Sequence, residues 1–270
     1  MVMRWLKRGY MGLILFFLYV PIVLLIIFSF NASRSRGAWE GFTLHWYAEL
    51  LRDRQILEAL KNTIVIGLSA ATISTLLGLL GAVGLYQTRR GVRKTLMALV
   101  NLPMLNSEIV TGVSLMLLYT AINANTFINL QLGFVTLLLS HVAFCIPYVV
   151  LSILPKLRQL DPHLAEAAQD LGATPWRAFR KVILPDIMPG VFSGFLLALT
   201  MSIDDFVISF FTTGTGVQNL SITIYTMAKR GISPKINALS TLIFLVVLGL
   251  LVAVNLPGFK QTNARKELPS

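Results

Sequence analysis

The sequence predicts an all-α, polytopic membrane protein with six transmembrane helices in one domain. Hydrophobic residues make up 55% of the chain and charged residues only 13%, whereas a soluble domain has about 25% charged residues. Long apolar runs also recur along the chain, and each is long enough to cross a hydrocarbon core of about 30 Å, which takes about 20 helical residues. This regular recurrence favours a single helical bundle over residues 1–270.

The apolar runs and the basic residues together predict the topology. The first run is too long for the apolar region of a signal peptide, and no clear cleavage site follows it, so it is interpreted as a span. Of the 23 Lys and Arg residues, 15 fall on one proposed side of the membrane and 8 on the other, which by the positive-inside rule places both termini in the cytoplasm. The predicted spans cover about residues 9–30, 62–86, 97–121, 132–155, 187–212 and 236–257, with residues 156–186 as a cytoplasmic loop.

Charge and cysteine content narrow the classes of function. The net charge of +11 is carried mainly at the span ends, which indicates contact with anionic headgroups rather than nucleic acid. Cys145 is the one cysteine in the sequence. It therefore excludes an internal disulfide or a cysteine-built metal site, and its apolar surroundings predict a core residue.

Three local features refine the spans. A helix over Thr43–Lys61 is expected to lie along the outer membrane surface, where Trp46 either anchors it or offers its ring to a cationic substrate. Pro103 is expected to kink the third span or to mark a short interfacial piece before it. Small residues spaced three to four apart predict close helix packing in the second span: Ala70, Ser74, Gly78, Gly81 and Gly84.

A polar stretch between the fourth and fifth spans predicts two short helices. Asp161 and Pro162 fit the N-cap and first position of a helix. Gly172 fits its C-terminal stop, and Thr174-Pro175 repeats the start signal. A solvent-facing pair of helices within so apolar a chain indicates a docking surface for another protein.

The same stretch contains a spaced motif, Glu166-Ala167-Ala168, then Gly172, then Val182-Ile183-Leu184-Pro185. It resembles the cytoplasmic signature loop of the membrane-spanning subunits of bacterial ABC importers, with Val182 at a position usually occupied by Ile. In that family the loop forms a coupling helix in a cleft of a separate ATPase. The resemblance implies that the following residues contact the ATPase: Glu166, Ala167, Ala168, Asp170 and Gly172. The alternatives are a hairpin without a partner and a DNA-binding helix-turn-helix, but a loop between spans has no route to DNA.

The spans contain three acidic residues, Glu108, Asp204 and Asp205, and no Lys or Arg. An ionised carboxylate at the centre of a membrane helix costs about 2.5–3.5 kcal/mol on insertion scales, so such acids normally face a cavity. The sequence therefore predicts a cationic cargo as their counter-ion. Adjacent helical residues point about 100° apart, so only one of the two aspartates is expected to face the pore. The alternative is that the acids are structural, capping a broken helix.

Two further side chains on the fourth span are candidates for the pathway. Tyr148 can line it, although packing is the favoured interpretation. His141 is interpreted as a neutral, hydrogen-bonded packing residue.

Several segments together resemble the permease subunit of spermidine/putrescine importers, the PotC-like family. The matching segments are SFNASR, GFTLHWYAELL, SHVAFCIPYVV, EAAQDLGAT and LTMSIDDFVISFF. The resemblance implies an ABC type I importer permease with the MetI-like fold in the bacterial inner membrane, and it implies that Trp46, Glu108 and the Asp204-Asp205 pair take part in polyamine uptake. Relatives carry Asp where this chain has Glu108, so the carboxylate here reaches one methylene further.

The resemblance also implies the partners. These are a second permease similar to PotB, two ATPase subunits similar to PotA and a periplasmic binding protein similar to PotD. This chain is then a transport subunit and not an enzyme, with no cofactor or metal of its own, because ATP and Mg²⁺ are bound by the partner ATPase.

Three other functions stay open at this point. The importer could carry another organic cation, such as an opine-like amine. A secondary transporter could use the same acids to couple to protons, but it predicts symmetry between the two halves of the sequence, which is not seen. A membrane-embedded enzyme is disfavoured because one Cys and three scattered His form no convincing catalytic set.

Overall fold

The structure, a computed structural model, describes residues 2–33, 38–125, 130–214, 216–231 and 234–264, and regular structure in these ranges is helical. The predicted cytoplasmic tail at 265–270 lies outside them. The helices are α1 (Val2–Phe28), α2 (His45–Leu50), α3 (Arg54–Gln87), α4 (Arg90–Leu105), α5 (Glu108–Asn125), α6 (Phe134–Gln159), α7 (Leu164–Asp170), α8 (Pro175–Ala178), α9 (Leu184–Asp204), α10 (Val207–Thr212), α11 (Leu220–Arg230) and α12 (Pro234–Ala264). A π-helical turn, Phe179–Ile183, joins α8 to α9.

Within the described ranges, four helical segments are long and apolar enough to cross a membrane: Gly9–Phe28, Arg54–Gln87, Phe134–Gln159 and Pro175–Asp204. Helices α4 and α5 meet these conditions only as a pair, and the pair is bent by 102° at its break. Helix α12 contributes a shorter apolar stretch, Pro234–Gly249. The all-α membrane fold is confirmed, and the count of six spans with cytoplasmic termini stays a prediction.

Two helix boundaries differ from those expected. The segment Thr43–Lys61 is not one helix, because a turn at 51–53 separates α2 from α3, and α3 then continues without a break to Gln87. Pro103 lies inside α4, and the sharp bend occurs after it, at Asn106 and Ser107. Asn and Ser side chains compete for backbone hydrogen bonds, which favours a helix end at such a pair.

The chain forms two compact units, and the first comprises residues 1–58 and 223–270. Here α12 packs against α1 and α2. Asn31 organises the turn after α1, since its side chain donates to the carbonyl of Ala38 (2.7 Å) and accepts from the N–H of Glu40 (3.1 Å). Lys235, at the start of α12, binds Glu49 (2.9 Å) and Asp53 (2.7 Å), which ties α12 to the α2–α3 turn.

The second unit, residues 59–222, contains most of α3 and the core formed by α6 and α9. The small residues of α3 are used as expected. Ala70 and Ser74 are fully buried, and a Cβ added to Gly78 would lie 2.6 Å from Val149 Cγ1 of α6, closer than atoms can approach. Gly84 differs, because a Cβ there would meet no atom within 4 Å.

Candidate functional site

A cavity of about 280 Å³ lies in the second unit where α9 ends. Asp204 is the last residue of α9, and the backbone of Asp205 is extended (φ −64°, ψ 126°), so the helix breaks between the two acids and α10. The cavity is lined by Glu108, Phe144, Leu197, Thr200, Met201, Asp204, Asp205, Phe206 and Val207. The break therefore brings carboxylates and aromatic rings to one space.

Two of the lining carboxylates are open to solvent. Asp204 and Glu108 are both exposed, and Glu108 is the first residue of α5. A carboxylate at that position is stabilised by the positive end of the helix dipole. Because the described residues that line the cavity include no Lys or Arg, the two acids are available to a cation.

Asp205 has the opposite environment, with 8% of its surface exposed. Its carboxylate accepts hydrogen bonds from the backbone N–H groups of Ile208 (3.2 Å) and Ser209 (2.8 Å) and from the Ser209 hydroxyl (2.8 Å). These bonds cap the first turn of α10. Asp205 thus matches the structural alternative, and of the two aspartates Asp204 is the exposed one.

His141 belongs to the same polar network and is 1% exposed. The single proton of Ser209 Oγ is donated to Asp205, so Ser209 Oγ must accept from Asn219 Nδ2 (2.7 Å) and from His141 Nε2 (2.9 Å). His141 Nδ1 then accepts from the Ser202 hydroxyl (2.6 Å). The interpretation of His141 as a hydrogen-bonded packing residue fits this geometry, and its tautomer is the one with the proton on Nε2.

The signature stretch folds into a solvent-exposed hairpin of α7 and α8. The Schellman motif that ends α7 joins the N–H of Ala173 to the Ala168 carbonyl (3.1 Å) and the N–H of Gly172 to the Gln169 carbonyl (2.8 Å). Gly172 has a φ of +84°, which L side chains rarely adopt. The start of α7 is two residues later than expected, at Leu164.

Two apolar side chains of the hairpin are exposed on the surface of the chain. Leu171 is 91% exposed and Trp176 is 69% exposed. No residue of α7 is buried. His163 lies 3.1 Å from Glu166, and this hydrogen bond raises the pKa of the His163 imidazole. Exposed apolar residues on a polar hairpin are typical of a surface that a partner covers.

Comparisons with known proteins cover both the hairpin and the cavity. Residues 74–257 match the family model described as "Binding-protein-dependent transport system inner membrane component", which covers the hairpin and the cavity. The chain belongs to this family. Such a permease is a transport component of an ABC importer rather than an enzyme, and it works with an ATPase and a periplasmic binding protein.

Relatives and solved structures agree with the family. The chain is 39% identical over 97% of both chains to the "Spermidine/putrescine transport system permease protein PotC" of Escherichia coli (strain K12). It is 40% identical to the "Putrescine transport system permease protein PotI" of the same organism, over 90% of this chain and 84% of the relative. A bacterial alginate ABC transporter in complex with its pentasaccharide-bound periplasmic protein contains a chain with the same fold (TM-score 0.70, 19% identity, 94% and 92% covered). The MetNI methionine ABC transporter contains another (TM-score 0.61, 21% identity, 79% and 96% covered).

Two other sequence-predicted pathway residues, Tyr148 and Trp46, are not among the residues that line the cavity. Tyr148 is half-buried on α6 and does not line the cavity, but its ring meets the edge of Phe144, which does (5.4 Å between centroids). Trp46, in the first unit, is 5% exposed and donates its indole N–H to the Asn31 carbonyl (2.8 Å). The indole is therefore buried in this structure, and its role in the pathway stays a prediction. Cys145 is a free, buried core residue, as expected.

Sequence reasoning missed three parts of the site. Phe144 and Phe206 line the cavity beside the acids, and Ser209 is the centre of the buried network. An aromatic in a membrane span carries no local signal of its role. The one available signal for Ser209 is its spacing, four residues after Asp205, which is suitable for a hydrogen bond across the first turn of a helix.

Proposed function

We propose that this permease forms half of the translocation pore of an ABC importer for polyamines, spermidine or putrescine, in the bacterial inner membrane. Its companions are a PotB-like permease, two PotA-like ATPase subunits and a PotD-like periplasmic binding protein. ATP and Mg²⁺ bind to the ATPase subunits. The relatives named for spermidine and putrescine transport support the substrate class.

The observation that carries the proposal is the pair of exposed carboxylates, Glu108 and Asp204, on one cavity that no Lys or Arg of the described ranges lines. A polyamine carries several ammonium groups separated by apolar methylenes. The carboxylates replace water around the ammonium groups, and Phe144 and Phe206 pack against the methylenes or offer a π face to a cation. Tyr148 supports the Phe144 ring from α6.

The exposed hairpin is the proposed connection to the ATPase. Glu166, Ala167 and Asp170 are exposed on α7, and Ala168 is half-buried. Gly172 shapes the hairpin through its positive φ. ATPase closure displaces the hairpin. Helix α8, the second helix of the hairpin, continues through the π-helical turn into α9, which ends at Asp204. A single helical path thus runs from the ATPase surface to the cavity.

The test is uptake of radiolabelled spermidine and putrescine by the complete importer, reconstituted with ATP inside the vesicles. The variant Glu108→Gln/Asp204→Asn is expected to lose uptake while retaining assembly and basal ATP hydrolysis. Asp186→Asn is the matched control, because Asp186 is an exposed acid of the same helix α9 that does not line the cavity.

Unchanged uptake in the double variant would remove the acids from the mechanism. Uptake of another organic cation in preference to both polyamines would support the proposed importer but change its substrate. Accumulation by vesicles that contain this chain alone, driven by a proton gradient, would replace the importer with a secondary transporter.

A further inference from the structure

A second cavity, of about 530 Å³, lies between α4 and the end of α6. We call it the basic pocket, and it is lined by Arg90, Arg93, Lys94, Met97, Ala98, Asn101 and Arg158. The six residues from α4 are spaced as one face of a helix, and Arg158 lies in the last turn of α6. Two segments more than fifty positions apart therefore bring four cationic side chains to one space.

The charges in the basic pocket are not balanced by the protein. Its lining has no acid, and within the described ranges none of its four cations lies within 4.0 Å of a carboxylate. The position of Arg90 and Arg93 makes the unbalanced charge more unfavourable, because cations are disfavoured near the positive N-terminal end of a helix. A positive-inside bias is met by basic residues anywhere near the membrane surface and does not require them to converge. Convergence favours an anion that fills the pocket.

The other face of α4 indicates where this anion resides. Val92, Leu96 and Leu99 are exposed there, by 56%, 38% and 59%. An amphipathic helix with exposed apolar residues on one face and basic residues on the other lies in the membrane interface, where phospholipid headgroups are. The bend of 102° before α5 is consistent with such a change of direction. The pocket is therefore at the depth of lipid phosphates.

Asn101 adds a polar group to the pocket wall. Its Oδ1 atom is buried and has no hydrogen-bond partner in the described part of the chain. A buried acceptor without a partner is costly, so a donor from a ligand or a water is expected there. A glycerol headgroup supplies hydroxyl donors together with the phosphate anion.

We propose that the basic pocket binds the headgroup of an anionic phospholipid, with its phosphate among Arg90, Arg93, Lys94 and Arg158. The inference rests on the proposed function only in placing this end of the molecule at the cytoplasmic membrane surface. The pocket is at the end of α6 that leads directly into the α7–α8 hairpin. The headgroup also fixes α4, which is joined through Asn106 and Ser107 to Glu108. Transport is therefore expected to require anionic lipid.

The test uses the complete importer in nanodiscs of phosphatidylcholine with about one-fifth phosphatidylglycerol, an anionic lipid. Native mass spectrometry after mild delipidation counts the phosphatidylglycerol that stays bound. Each charge that faces the bound headgroup is expected to contribute about a fivefold change in affinity, as a basic residue does at an anionic surface, so Arg93→Gln/Arg158→Gln is expected to weaken retention about twenty-five-fold. The single variant Arg93→Gln is compared with Arg89→Gln, since Arg89 is exposed one turn away and does not line the pocket.

The expected result is loss of retained lipid in Arg93→Gln and in the double variant but not in Arg89→Gln, with assembly unchanged in size-exclusion chromatography. Equal retention in all variants would overturn the proposal. A second arm adds inorganic phosphate to lipid-free detergent samples. If millimolar phosphate binds the pocket as well as the lipid does, the pocket is a site for a soluble anion. If Lys94 cross-links to an ATPase subunit, the pocket is a contact with a protein partner. Site-specific lipid retention in an importer that moves no polyamine would leave this inference intact and reject only the proposed function.

Discussion

Asp204 and Asp205 are adjacent in the chain, but Asp204 is exposed to the cavity whereas Asp205 is buried and caps α10 through the N–H groups of Ile208 and Ser209. The helix break between α9 and α10 produces this division. Asp205 stabilises the backbone at the break, and Asp204 is available to a ligand.

Separate substitutions of the two acids are expected to have different effects. Asp205→Asn removes the charge from a buried cap, which is expected to cost about 1.5–3 kcal/mol, the range for hydrogen bonds to charged groups. Asp204→Asn removes an exposed charge and is expected to leave stability unchanged while lowering uptake. Thermal unfolding of the purified permease in detergent measures the first effect and vesicle uptake the second. Equal melting temperatures for the two variants would contradict the assigned roles.

The exposed Leu171 on the hairpin is expected to be part of the ATPase contact. Leu171→Asp places a charge on a surface that must become apolar on docking, so the ATPase should fail to co-purify with the permease. Leu171→Met preserves the apolar surface and is the control. Because Leu171 is 91% exposed, neither change should alter the melting temperature of the permease alone. Normal co-purification of the Asp variant would exclude this surface from the contact.

The close approach of α3 and α6 at Gly78 is expected to tolerate no side chain. Gly78→Ala would place Cβ 2.6 Å from Val149 Cγ1, and overpacking of this kind costs about 1–3 kcal/mol. Gly84→Ala is the matched control, because it lies on the same helix with no atom within 4 Å of the added Cβ. The melting temperature should fall for the first variant and stay level or rise for the second. A fall of the same size in both would contradict the packing explanation, because helix propensity favours Ala over Gly at both positions.

The role of Trp46 can be decided by separating stability from substrate affinity. Trp46→Phe leaves the Asn31 carbonyl without its indole donor, and a buried group without its partner costs about 1–3 kcal/mol. The expected outcome is a lower melting temperature with the KM for spermidine unchanged. A raised KM with normal stability would instead restore a direct role in the pathway. Trp39→Phe, at a residue that is 52% exposed, serves as the comparison.

The ion pairs of Lys235 give the first unit a defined dependence on pH. The hydrogen bond from Lys235 lowers the pKa of Asp53 below its ordinary 3.8. Partial burial works to lower the pKa of Lys235, but its bonds to Asp53 and Glu49 outweigh burial and raise it above 10.5. The contribution of Asp53 to the stability of the folded chain is therefore present above pH 3.8 and is lost as the pH falls through the lowered pKa of Asp53. The contribution of Lys235 is present below pH 10.5 and lost as pH rises through its raised pKa.

The corresponding variant is Lys235→Met, with Lys229→Met as the control at an exposed lysine of α11. The pairs are partly exposed, so a loss of about 0.5–1 kcal/mol is expected between those two pH values. Unfolding measured against pH should show the variant and the natural chain converging at the acid end. A constant difference down to the most acid pH would mean that the pairs are not its source.

Patterns of the sequence predicted the helical runs, the hairpin and the acids, because each depends on residues close together in the chain. The sequence predicted that only one of Asp204 and Asp205 faces the pore, but it did not indicate which one, since that depends on the hydrogen bonds of Ser209 and on where α9 ends. Pro103 predicts a bend, but α4 continues past it and the bend occurs at Asn106 and Ser107, whose side chains compete for backbone hydrogen bonds. The basic pocket needs Arg158 beside α4, which no local pattern indicates.

The π-helical turn at Phe179–Ile183 joins the hairpin to α9 without a loop. Helix α9 is 21 residues long, or about 30 Å at 1.5 Å per residue. Under the proposed coupling to the ATPase, a displacement of the hairpin is therefore carried along one continuous helical segment to Asp204.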